Sequence, residues 1–147
     1  MTVAPHQIAA AAQWLAAASS ESAQIHSDWQ EWGLALLPAG RLWDVVKILA
    51  VDEGSDMAAA GFTGCGIDGP VILDPHSGVH YLLVPRGTAE TWSVPGTECL
   101  GDACYLGVPF PSRLSPPGCH WVIPPDGSGI LVDPQRLHAA LEAVPAP

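Results

Sequence analysis

Residues Gly78–Pro125 read GVHYLLVPRGTAETWSVPGTECLGDACYLGVPFPSRLSPPGCHWVIPP and carry the densest turn punctuation in the chain. Three short apolar runs stand out, Val79–Val84, Ala103–Val108 and Cys119–Ile123, separated by Gly/Pro-rich segments. Short apolar runs between Gly and Pro clusters are the signature of strands joined by turns. The stretch also holds His80, His120 and three of the four cysteines, Cys99, Cys104 and Cys119.

Helices are expected at both ends. Ala4–Ala18 is Ala-rich, with Ile8, Trp14 and Leu15 near helical spacing and Pro5 suited to a first turn. Ser19, Ser20 and Ser22 break it, and a second helix runs over Ala23–Trp32 with Ile25, Trp29 and Trp32 on one side, ending at Gly33. Leu34–Leu37 and Leu42–Val51 are strands, either separate or paired across Pro38-Ala39-Gly40, and the second fits a central strand ended by Asp52-Glu53-Gly54. Ser55 caps a short helix to Gly61, and the four glycines of Gly61–Gly69 mark a loop without the Lys of a phosphate cradle. Pro70–Leu73 is a strand that turns through Asp74–Gly78. Gly87–Trp92 is one helical turn, Ile130–Val132 a last strand, and Asp133-Pro134 starts a helix through Leu137, Leu141 and Val144. The expected fold is a single α+β domain, a mixed, largely antiparallel sheet with flanking helices.

Composition narrows the function classes. The chain has 147 residues, 48% hydrophobic and 14% charged, enough to build a core. Its five cations (Arg41, Lys47, Arg86, Arg113, Arg136) face fifteen acidic residues, a net charge of −10. Duplex binding relies on several phosphate contacts from Lys and Arg, so nucleic acid is disfavoured and a protein partner or a nucleotide-like small molecule is favoured. No apolar run is long enough to span a bilayer and no basic region precedes the first one, so the expectation is a cytoplasmic protein without a membrane partner. High Pro, Gly and Ala suit a GC-rich bacterial genome. The cysteines form no C-x-x-C pair; they read as reduced, packed thiols, with a loose zinc set of Cys99, Cys104, Cys119 and His120 as the alternative.

The order of motifs carries a resemblance. Ser77-Gly78-Val79-His80-Tyr81-Leu82-Leu83 is a Gly turn leading into a His-bearing strand. A Gly-x-acid segment and an apolar strand follow over Gly96–Pro109, then a Ser/Pro/Gly loop from Pro111-Ser112-Arg113 to a Cys119-His120-Trp121 strand. Upstream, Gln24–Trp32 supplies a Trp-bearing helix and Gly33–Leu37 a first strand. Over roughly residues 24–125, judged by pattern, this resembles the N-terminal domain of bifunctional DNA primase/polymerases, in the archaeo-eukaryotic primase superfamily. The resemblance implies a primase/polymerase-like fold, a role linked to DNA replication, nucleotide binding, and Mg²⁺ or Mn²⁺ held by an Asp-x-Asp pair. The matching strand, Gly40–Lys47, has Asp44 alone, with Lys47 near the place of the second carboxylate. Glu98 or Asp102 would stand for the third acidic ligand and His80 for the phosphate contact. Two-metal phosphoryl transfer needs close carboxylates, so the implied active site is degenerate.

Each candidate has a plainer role beside the functional one. His80 is a phosphate contact or acid/base group, or a packed sheet histidine. Asp44 is a metal ligand, or the partner of Arg41 or Lys47. Glu98 and Asp102 are metal ligands or solvated turn acids. Arg113 is the best anion-binding candidate, and His120, Tyr105 and Trp121, with Trp92, would line a small-molecule pocket or pack the sheet. Three functions follow: a catalytically degenerate, stand-alone binding or regulatory domain; a metal-dependent nucleotidyltransferase; or a small-molecule enzyme or binder with an aromatic pocket. No Gly-x-Ser-x-Gly, Ser-x-x-Lys or His-Glu-x-x-His string occurs.

Overall fold

Alternating side chains along β2 (Trp43–Ile48) and β4 (Val79–Pro85) feed two separate apolar layers, and this divides the molecule. The computed structural model describes residues 4–51 and 53–142. The remaining elements are α1 (Pro5–Ala16), α2 (Ser22–Trp32), β1 (Leu34–Pro38), α3 (Asp56–Gly64), β3 (Val71–Asp74), β5 (Thr97–Leu100), β6 (Tyr105–Pro109), β7 (His120–Ile123) and α4 (Pro134–Leu141), with a 3-10 turn at Thr88–Glu90. Five strands form one sheet in the order β5-β2-β4-β3-β7, while β1 and β6 form a separate two-stranded ribbon. Every pairing among the described strands is antiparallel, so the α+β expectation stands without parallel pairs.

On one face of the large sheet, Trp43, Val45, Ile72, Leu83 and Trp121 pack against Leu15, Ile25, Trp29, Leu37 and Val108 from α1, α2 and the ribbon. On the other face, Val46, Ile48, Val71, Leu82 and Val84 pack against Met57, Leu137 and Leu141 from α3 and α4. Strands covered on both faces read as continuous apolar runs rather than clean alternation, which is how LLV in β4 and VV in β2 look. Two indoles lock the ribbon in place. Trp29 Nε1 donates to the Val108 carbonyl at 3.0 Å and Trp121 Nε1 to the Pro109 carbonyl at 2.9 Å.

Several boundaries differ from the sequence reading. β1 and β2 do not pair with each other: β1 takes β6 and β2 takes β4 and β5, because the Pro38–Leu42 turn carries the chain from the ribbon to the large sheet. Thr97–Leu100 is a strand rather than a turn, so Glu98 sits on a sheet edge. Ile130–Val132 is not a strand; Val132 N–H bonds the Leu83 carbonyl at 2.8 Å without forming a ladder. α3 runs on to Gly64 with a kink at Gly61, whose φ of 73° takes it out of helical geometry. Trp32 is exposed despite its spacing from Ile25 and Trp29, because α2 ends there and Gly33 (φ 73°) turns the chain away. Ser55 does cap α3, accepting from Ala58 N–H, and Asp133 caps α4, accepting from Gln135 N–H. Asp52 and Val144 lie outside the described residues.

The tryptophans separate two energetic cases. Trp121 and Trp43 are both fully buried, but the Trp43 N–H has no partner among the described residues. Trp121→Phe strips the Pro109 carbonyl of its donor, whereas Trp43→Phe removes a buried donor that was already unsatisfied. Denaturant unfolding is expected to show Trp121→Phe as the more destabilising change, by about 1–3 kcal/mol.

Candidate functional site

Asp44 is a carboxylate in the middle of an apolar strand, 2% exposed. Its partners are main-chain groups: Oδ2 accepts from Gly87 N–H and from Ala89 N–H, both at 3.0 Å. Arg86 and Gly87 (φ 93°) follow β4, and the 3-10 turn that comes next wraps over the carboxylate. Charge-assisted bonds from two amides satisfy a buried carboxylate without a cation. The expected ion pair with Arg41 or Lys47 is therefore not formed. Lys47 falls on the opposite sheet face, three residues along β2 from Asp44.

A hollow of about 110 Å³ opens beside Asp44, lined by Arg86, Glu90, Gly101 and Asp102 among others. Asp102 and Asp44 thus share one small cavity, with Arg86 among the residues that line it. Glu98 does not join them. It is the cross-strand partner of Lys47, which puts it on the far side of the sheet from Asp44. His80 is also remote. It pairs with Ile48 while Asp44 pairs with Val84, a separation of roughly 13 Å at about 3.3 Å per residue. The expected set of His80, Asp44 and Glu98 is thus dispersed, and among the described residues no three His, Cys, Asp or Glu side chains gather closely enough to hold a metal ion.

His80 belongs instead to a row across the sheet. Ile48, His80, Leu73 and His120 are successive cross-strand neighbours. The His80 ring lies 4.8 Å from the Phe62 ring of α3. Burial first, and the nearby His120 second, hold the His80 imidazole below its ordinary value. His120 is itself buried, with Nδ1 at 3.0 Å from the Gly118 carbonyl.

The aromatic pocket is not assembled either. Trp121 is 1% exposed in the layer beneath the ribbon, whereas Trp92 packs with the opposite layer and bonds Thr97 Oγ1 at 2.8 Å. Tyr105 is 66% exposed on the ribbon. Arg113 is an exposed loop residue whose guanidinium lies over Gly33, where any β-carbon would collide with it. The cysteines are free thiols, with Cys104 and Cys119 against one layer and Cys99 against the other, which separates the proposed zinc ligands. Burial, and then the Asp44 charge, push Cys99 up to about 12, far from a reactive thiolate. Sequence reasoning missed Arg86, Glu90 and the Gly87 and Ala89 amides. The Pro85-Arg86-Gly87 string after a strand was the available signal.

No protein-family model, curated protein or solved structure matches this chain. Among the described residues no helix is long and apolar enough to cross a membrane.

Two measurements follow. Asp44→Ala leaves two amides under the 3-10 turn without an acceptor, and is expected to cost about 2–4 kcal/mol in denaturant unfolding, with Asp44→Asn milder because it keeps an acceptor. For His80 the folded state binds its proton less readily than the unfolded chain. Stability therefore falls as pH drops through about 6.5, the unfolded value, toward the lower folded value. Asp74 and Asp126, lowered mainly by hydrogen bonds from Ser77 and Ser128, act only below about 4. Thermal melts between pH 7.5 and about 5 should show a steeper decline for the wild type than for His80→Phe.

Proposed function

We propose that this chain is a catalytically degenerate, primase/polymerase-like domain that acts as a stand-alone binding or regulatory protein. The observation that carries the reading is the employment of Asp44. The one acidic side chain on the strand that resembles the catalytic strand spends an oxygen on the Gly87 and Ala89 amides. Glu98 faces away from it, and among the described residues no three His, Cys, Asp or Glu side chains gather closely enough to hold a metal ion, which supports the degenerate reading. A protein partner is favoured by the net charge of −10 and by an uncovered apolar ribbon face bearing Leu34, Leu36 and Tyr105.

One observation favours nucleotidyl transfer as the second reading: Asp44 and Asp102 line the same hollow as Arg86. A thermal-shift series with Mn²⁺ or Mg²⁺, with and without ribo- and deoxynucleoside triphosphates, separates the two. A ligand binding only the folded state at 100 times its dissociation constant adds about 2.7 kcal/mol, which moves the midpoint by several degrees. No shift requiring both metal and triphosphate is the expected result. A shift that needs both and disappears in Asp102→Asn, an exposed position that tolerates the change, would overturn the binding-domain reading.

A further inference from the structure

Away from Asp44, at the opposite edge of the five-stranded sheet, β7 borders a hollow of about 510 Å³. That volume lies within the roughly 300–1,000 Å³ usual for small-ligand sites. Its floor is apolar, built from Ile67, Val122, Ile123 and Pro124. Val122 is there because of a bulge. Val71 pairs with Ile123 and Ile72 with Trp121, so Val122 is the extra residue on β7 and is turned outward, 43% exposed.

One cation serves this apolar surface. Arg136, in the first turn of α4, lines the hollow and also borders a second one of about 440 Å³ between α3 and α4. Its guanidinium lies beside Gly66, with a long bond of 3.4 Å to the Gly66 carbonyl. Any β-carbon at Gly66, which also has a φ of +75°, would stand 2.7 Å from Nη1, so the glycine permits the approach. Among the described residues no carboxylate lies within ion-pair distance of Arg136. The guanidinium keeps donors for an incoming anion, in the fork geometry that suits a carboxylate.

The remaining features narrow the occupant. Asp68 stands on the same rim, which disfavours a dianion such as a phosphate monoester and leaves a single negative charge as the better match. The bulge at Val122 interrupts the β7 ladder, so an added peptide strand is a poor fit and a compact ligand a better one. We infer that this hollow binds a small monoanionic amphiphile, an apolar body carrying one carboxylate, with Arg136 on the carboxylate and Ile67, Val122 and Ile123 around the body. The inference is independent of the primase/polymerase-like reading.

Titration calorimetry with octanoate and with neutral octanol tests it on the full chain. Octanoate should saturate one site, and Arg136→Gln and Val122→Asp should each weaken it at least tenfold, about 1.4 kcal/mol or more. Octanol should bind more weakly and be indifferent to Arg136→Gln. Both positions are exposed, so unchanged thermal midpoints should confirm that the variants fold. Octanoate-induced amide shifts centred on residues 67, 122, 123 and 136 would support the site. Absence of saturable octanoate binding by the wild type, or binding that either substitution leaves unchanged, overturns the inference.

Discussion

The indole N–H groups of Trp29 and Trp121 hold this molecule together. They reach the carbonyls of consecutive residues, Val108 and Pro109, from two directions, one from a helix and one from the large sheet. A two-stranded ribbon alone is marginally stable in water. Here its inner face, with Ala35, Leu37, Leu106 and Val108, is buried, while the indoles anchor its far end by hydrogen bonds that water cannot reach. That anchor fixes the ribbon over the apolar layer that holds Trp43 and Leu83, to which α1 and α2 also contribute Leu15, Ile25 and Trp29.

The second constraint is electrostatic. A carboxylate placed in a strand covered on both faces must be satisfied locally or be neutralised. Asp44 is satisfied by amides, and the geometry of the chain after β4 follows from this: Gly87 adopts a positive φ and the 3-10 turn settles over the oxygen. The acid that the resemblance would make a metal ligand here fastens a loop, and the small hollow opens beside the same turn. The two roles need the same residue type, so only the contacts tell them apart.

Much of the fold was legible. The helices, their caps at Ser55 and Asp133, the β3–β4 hairpin and β7 follow from periodicity and turn residues, which are local signals. What escaped was non-local. Nothing near Leu34–Pro38 indicates that its partner is Tyr105–Pro109, and the adjacent strand across a turn looked equally suitable. β5 was hidden because Thr97–Leu100 is short, at a sheet edge and flanked by glycines. The candidate site fared worse for the same reason. Glu98 and Asp102 are neighbours in sequence, yet one belongs to a strand facing away from Asp44 and the other to the turn beside it, a difference fixed by register. His80 and Trp121 were singled out for their chemistry and turned out to be packed.

The ribbon also says something about time. Trp29 and Val108 are 79 residues apart in sequence, and the β1–β6 ladder spans a similar gap that encloses β2 to β5. Such contacts form only after a long loop has closed, at an entropic cost repaid late. Folding of this chain is thus expected to be limited by its topology rather than by helix formation.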